Sequence, residues 1–204
     1  MNIGILDYGL GNIGSIKNMI LNTSNVNILY IQEANQLQKI DKLILPGVGS
    51  YDTGVMALKC NGLYDAIRDF ATLKKKPILG ICLGMQLLGN SSEEGSMMGL
   101  GLIDFNVVRF KECGLKIPHM GWNYVENKRD DKLGGIGYNG EDRFYFVHSY
   151  HAVCNDINNV WLTSYYGYDF VAAVNKDNIY GVQFHPEKSH KYGKKLIKWF
   201  VEEA

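Results

Sequence analysis

The chain has 204 residues, 46% of them apolar, with 21 basic and 21 acidic side chains. That length closes one core of ordinary size, so residues 1–204 are expected to form a single domain. Zero formal net charge argues against a dedicated nucleic-acid surface, and no apolar run reaches the roughly 18 residues needed to cross a membrane.

The opening MNIGILDYGLGN carries Asp7 and no basic stretch, so it does not read as a signal peptide. Cys60, Cys82, Cys113 and Cys154 are widely spaced, with no C-x-x-C pair, which suggests neither a zinc site nor a dithiol redox motif. Free thiols in such a chain fit the cytoplasm. No metal or cofactor is expected.

In chain order, NIGIL (2–6) reads as a strand and DYGLGN breaks it. Ile13, Ile16, Met19 and Ile20 then recur at helical spacing. VNILYI (26–31) and KLIL (42–45) are further strands, the second stopped by PGVGS. Val55, Leu58, Leu63, Ile67 and Phe70 form a helical stripe interrupted by Gly62, PILGI (77–81) is a fourth strand, and LGMQLLG looks helical. Apolar strands alternating with helices predict an open, mostly parallel α/β sheet with helices on both faces. Beyond about residue 100, IDFNVVRF, RFYFVHSYHAV, VWLTSYY, FVAAV and IYGVQF are short and β-rich. They predict antiparallel or mixed strands added to that sheet. HKYGKKLIKWFVEEA closes the chain as an amphipathic helix, with Leu196, Ile197 and Phe200 on one face.

Gly9, Gly11 and Gly14 fit G-x-G-x-x-G between a strand and a helix, and Glu33 lies near the end of the second strand. A dinucleotide site is therefore a rival reading. Glycines also serve any tight strand-to-helix turn, and the simpler reading is a turn close to other backbone.

Strand, then Gly80-Ile81-Cys82-Leu83-Gly84, then helix has the form of a nucleophile elbow, with cysteine in place of serine. The sharp turn lifts the side chain clear, so its neighbours must be small. The Leu83 N–H and the start of the helix can face a developing oxyanion and favour thiolate. His185 follows the run IYGVQF and precedes Pro186, and Glu187 lies two residues on. In an extended segment the two share a face, so Glu187 can hold the imidazole. Cys82, His185 and Glu187 thus form a candidate triad. Pro46-Gly47-Val48-Gly49 ends the third strand at the same sheet edge, where the Val48–Gly49 peptide can supply a second oxyanion donor. Gln86 lies one helical turn beyond the elbow, close to the nucleophile.

LPGVG, GICLGMQLL and GVQFHPEKS, in that order, resemble the class I (triad) glutamine amidotransferases. DYGLGNIGS, SSEEG, IPHMGWN and FYFVHSY resemble in particular the glutaminase subunits of imidazole glycerol phosphate synthase. The resemblance spans the whole chain. It implies that Cys82 attacks the side-chain amide of glutamine. It places the substrate against Gln86, Glu93 and the backbone around His148, Ser149 and Tyr150. It also implies a (β/α)₈ cyclase partner that receives the ammonia. Pro118, Met120 and Trp122 alternate as on a strand edge, and with Tyr145 and Lys188, which match interface positions of the family, they form the expected docking face. YDTGVMALKCNGL and HPEKSHKYGKK resemble instead paralogues thought to feed ammonia to a sugar amidotransferase of surface-polysaccharide synthesis. A non-catalytic binding module is a third reading, which an intact triad argues against.

Overall fold

The computed structural model describes residues 1–112, 114–129 and 133–204, and Cys113 lies outside the described residues. The first half builds β1 (Asn2–Leu6), α1 (Ile13–Leu21), β2 (Asn27–Ile31), β3 (Lys42–Leu45), α2 (Tyr51–Cys60), α3 (Leu63–Thr72), β4 (Ile78–Ile81) and the short α4 (Leu83–Leu87). The single stripe expected across residues 54–70 is two helices, because Gly62 turns left-handed at φ +64° and redirects the chain. The second half adds β5 (Ser91–Ser92), β6 (Phe105–Arg109), β7 (His119–Tyr124), β8 (Glu126–Asn127), β9 (Arg143–His148), β10 (Tyr150–Cys154), β11 (Val160–Tyr165), β12 (Asp169–Lys176), β13 (Ile179–Val182) and α5 (His190–Glu202).

The main sheet runs β2-β1-β3-β4-β13-β12-β10-β6-β5 among the described residues. Strands β2 through β13 in that order are parallel to their neighbours, and β12, β10 and β6 then continue the sheet antiparallel. Alternation along the strands feeds two cores. Ile3, Ile5, Ile44, Leu79 and Ile81 meet Ile16 and Ile20 of α1 and Leu196, Ile197 and Phe200 of α5. Leu43, Leu45 and Ile78 meet Val55 and Leu58 of α2, Leu63, Ile67 and Phe70 of α3, and Met85 and Leu87 of α4. Strands covered on both faces read as apolar runs for this reason.

The run RFYFVHSYHAV is not one strand. It breaks at Ser149, β10 enters the main sheet between β12 and β6, and β9 pairs with β7 in a separate two-stranded ribbon. An isolated bridge between Tyr145 and His185 joins this ribbon to the main sheet.

Candidate active site

The site lies at the C-terminal edge of the parallel strands, where β4 and β13 end side by side. Val182 is opposite Ile81 in the parallel register, and the Cys82 N–H donates to the Val182 carbonyl at 2.8 Å. The chain then turns sharply: Cys82 sits at φ +55°, ψ −111°, a strained conformation for a residue with a Cβ. At its start α4 comes very close to the end of β3. A Cβ on Gly84 would collide with the Leu45 carbonyl oxygen, so only glycine fits there.

His185 and Glu187 complete the arrangement. The His185 Nδ1 is 2.8 Å from Glu187 Oε1, and both side chains are almost fully buried. The contact is made by a turn, not by an extended segment as expected. Pro186–Lys188 is a single 3₁₀ turn that folds the carboxylate back to the ring Nδ1. Burial alone would hold the imidazole neutral. The Cys82 side chain and the Glu187 carboxylate outweigh it and raise its pKa from 6.5 to about 9. His185 Nε2 has no partner within strict hydrogen-bond geometry, yet the Cys82 side chain lies near enough to help raise the pKa of the ring.

A cleft of about 360 Å³ opens over the cysteine. Among its lining residues are Val48, Gly49, Leu83, Gln86, Pro118, His148, Ser149, Tyr150, His185 and Lys188, all singled out in the sequence. Glu93 is a correction. Its N–H still pairs with the Val107 carbonyl at 2.9 Å, and its carboxylate accepts from the Arg109 N–H at 2.8 Å, away from the cleft. The next residue, Glu94, lines the cleft instead, held there by the Tyr51 N–H at 2.9 Å.

The loop Pro46–Gly49 forms one rim. The Leu83 N–H donates to the Gly47 carbonyl at 3.3 Å, so this expected oxyanion donor is already engaged. Behind the rim lies the glycine-rich turn that suggested a nucleotide. Gly11, at φ +112°, leaves no room for a Cβ against Pro46, and the buried Tyr8 hydroxyl donates to the Pro46 carbonyl at 2.7 Å. Glu33 caps a short 3₁₀ helix. The turn is a close backbone approach that supports the rim.

The opposite wall is held by a chain of buried imidazoles. Asn123 is oriented by the Tyr124 N–H on its Oδ1 and by its own Nδ2 on the Tyr165 carbonyl. Its Nδ2 therefore donates to His119 Nε2 at 3.3 Å, His119 Nδ1 donates to His148 Nε2 at 3.1 Å, and His148 Nδ1 donates to the Tyr150 carbonyl at 2.7 Å. Both ends of the chain require the same tautomers. Burial lowers the pKa values of His119 and His148 to about 4 and about 3.

One polar contact with the sulfur had no counterpart in the sequence reading. Gln183, fully buried, directs its Nε2 at Cys82 Sγ, 3.8 Å away, and its Oε1 accepts from Gln86 Nε2 at 3.1 Å. A polar side chain inside the apolar run IYGVQF, two residues before His185, was the available clue.

On the outer face, Met120, Trp122 and Tyr124 alternate along β7 and are 61%, 43% and 55% exposed. Trp122 stacks on His190, and the Lys188 ammonium lies 5.6 Å from the Tyr145 ring.

A thiol, an imidazole and a carboxylate aligned at one sheet edge are what nucleophilic acyl transfer requires. The family model described as glutamine amidotransferase class-I matches residues 4–204, and the chain belongs to that family. Among curated proteins it is 51% identical over 203 residues to imidazole glycerol phosphate synthase subunit HisH 2 of Methanococcus maripaludis, covering 99% of this chain and 100% of the relative. It is 46% identical to HisH 2 of Pseudomonas aeruginosa and 43% identical to HisH of Leptospira interrogans, each over 98% of both chains. Among solved structures, PurLQS from Thermotoga maritima superposes with a TM-score of 0.76 at 22% identity, over 98% of this chain and 97% of that one. At that identity the likeness speaks for the fold. No helix among the described residues is long and apolar enough to cross a membrane.

Proposed function

We propose that residues 1–204 act as one glutaminase domain, hydrolysing glutamine to glutamate and ammonia in the cytoplasm. The ammonia passes to a separate (β/α)₈ cyclase that makes imidazole glycerol phosphate in histidine biosynthesis. The observation that carries this reading is the buried Cys82, His185 and Glu187 array beneath a cleft of about 360 Å³, in a chain 51% identical to a HisH subunit.

In this mechanism the Cys82 thiolate adds to the amide carbon of glutamine. The imidazolium of His185, held by Glu187, gives its Nε2 proton to the departing nitrogen, and ammonia leaves a glutamyl thioester. His185 then takes a proton from water, the hydroxide adds to the thioester, and the thiolate departs with glutamate formed. Gln86, Glu94 and the wall at His148, Ser149 and Tyr150 hold the substrate. Leu83 and the Val48–Gly49 peptide receive the oxyanion once the Gly47 carbonyl releases the Leu83 N–H. That existing contact favours weak turnover in the isolated subunit, with docking opening the rim. The exposed Met120 and Trp122, with Pro118, Tyr145 and Lys188, form the docking face.

The test is glutamine hydrolysis by wild type and Cys82→Ala, with and without a histidine-pathway cyclase and its nucleotide ligand. Cysteine-dependent activity raised by the cyclase supports the whole reading. Cysteine-dependent activity indifferent to it moves the partner to a sugar amidotransferase. Hydrolysis that survives Cys82→Ala rejects the mechanism.

A further inference from the structure

We infer that Gln183 is a further catalytic group, a fixed amide donor that supports the Cys82 sulfur both as attacking and as departing thiolate.

Its position follows from strand register. Val182 is opposite Ile81, so the next residues along, Gln183 and Cys82, lie side by side where the two strands end. His185 follows two residues on, beyond the end of β13, and lines the same cleft as Cys82. The sulfur therefore has the Gln183 amide within reach as well as the imidazole of His185 nearby. Gln183 is fully buried, with its Nε2 3.8 Å from Sγ. Its orientation is set by Gln86, whose Nε2 occupies the Gln183 carbonyl oxygen at 3.1 Å and so leaves the N–H groups for the sulfur.

The chemistry has a use for such a donor. The helix that follows the elbow has only five residues, too few for a strong terminal field. His185 must deliver its proton to the leaving nitrogen, so it cannot remain a donor to sulfur throughout the cycle. The Gln183 N–H transfers no proton and stays in place. It stabilises negative charge on sulfur before attack and again when the thioester breaks. Gln86, one turn along α4, connects this donor to the substrate wall.

The kinetic half of this inference rests on the glutaminase reading, and the other half does not. Wild type and Gln183→Met, matched in length but lacking the N–H, are treated with iodoacetamide at neutral pH, and labelling of the Cys82 peptide is followed by mass spectrometry. Glutamine kcat and KM are measured alongside. Loss of one hydrogen bond to a charged group predicts alkylation and kcat each about tenfold lower, beyond any rise in KM from Gln86 losing its acceptor. Gln183→Glu, of the same shape, is expected to be at least as slow. Gln86→Met, which frees the amide to turn, is expected to slow alkylation about threefold and stands as the independent variant if Gln183→Met does not fold. Unchanged alkylation in the folded variants, full rates in Gln183→Glu, or a loss confined to KM would overturn the inference. If wild type does not hydrolyse glutamine, the proposed function falls, and the alkylation comparison still decides the role of Gln183.

Discussion

Tyr145 and His185 are joined backbone to backbone between the ribbon and the main sheet. The His185 N–H donates to the Tyr145 carbonyl at 2.9 Å, and the Tyr145 N–H in turn donates to Ser189 Oγ at 3.0 Å. Trp122 lies opposite Tyr145 in the ribbon. A partner that grips the outer face of β7 is thus two hydrogen-bonded steps from the imidazole.

Met120→Glu tests that face. With the side chain 61% exposed, the substitution should leave unfolding free energy within about 0.5 kcal/mol of wild type. A charge at the centre of an apolar docking patch should weaken cyclase binding at least about tenfold. Titration calorimetry checks the affinity, and equal binding by the variant would remove the face from the interface.

Glu187→Gln addresses the imidazole. His185 is raised in the folded state from 6.5 to about 9, so its charged form stabilises the fold. The sign follows from linkage: that contribution is fully present below about pH 6.5 and is lost as pH rises through about 9. Urea denaturation across this window should show a steeper loss for wild type than for Glu187→Gln. Glutamine hydrolysis should fall between about a hundred- and ten-thousand-fold. Parallel stability profiles would show that the carboxylate does not charge the ring.

His119→Phe tests the imidazole chain. The replacement keeps a buried ring but leaves His148 Nε2 without its donor, at a cost of about 1–3 kcal/mol. Because His119 and His148 are held neutral, with pKa values lowered to about 4 and about 3, their contribution is present above about pH 6.5 and is lost as pH falls through the lowered values. Glutamine KM should therefore rise on acidification in wild type and be raised already at neutral pH in the variant. A KM unaffected by either change would separate the wall at residues 148–150 from substrate binding.

Tyr8→Phe removes the hydroxyl that holds the Pro46 carbonyl. One buried hydrogen bond corresponds to about 1 kcal/mol, or roughly 2–4 °C in melting temperature for a chain of this size. Calorimetry checks the shift. An unchanged melting temperature would mean that the rim is held by packing alone.

The parallel half of the sheet was legible because strands buried on both faces leave unbroken apolar runs. The elbow was legible because Gly80 and Gly84 flank a cysteine. The break at Ser149 was not, since β9 and β10 both carry large half-buried side chains and only pairing partners far along the chain separate them. Glu93 and Glu94 are indistinguishable by composition. Their roles depend on where β5 stops pairing with β6, one residue either way. The strand logic that linked His185 forward to Glu187 gave the right pair for the wrong local structure. Gln183 was signalled only by being polar inside the apolar run IYGVQF.

Side-chain direction alternates with every residue of a strand, so a slip of β13 by one position against β4 would turn Val182 off its face and carry Gln183 and His185, just beyond its end, out of line with Cys82. Such a slip would also strip the apolar core of its inward residues, since Val182 and Phe184 are fully buried. Misalignment of the reactive groups and loss of the hydrophobic interior are therefore one event. The packing that keeps β13 in register is thus also what keeps the cysteine and the histidine together.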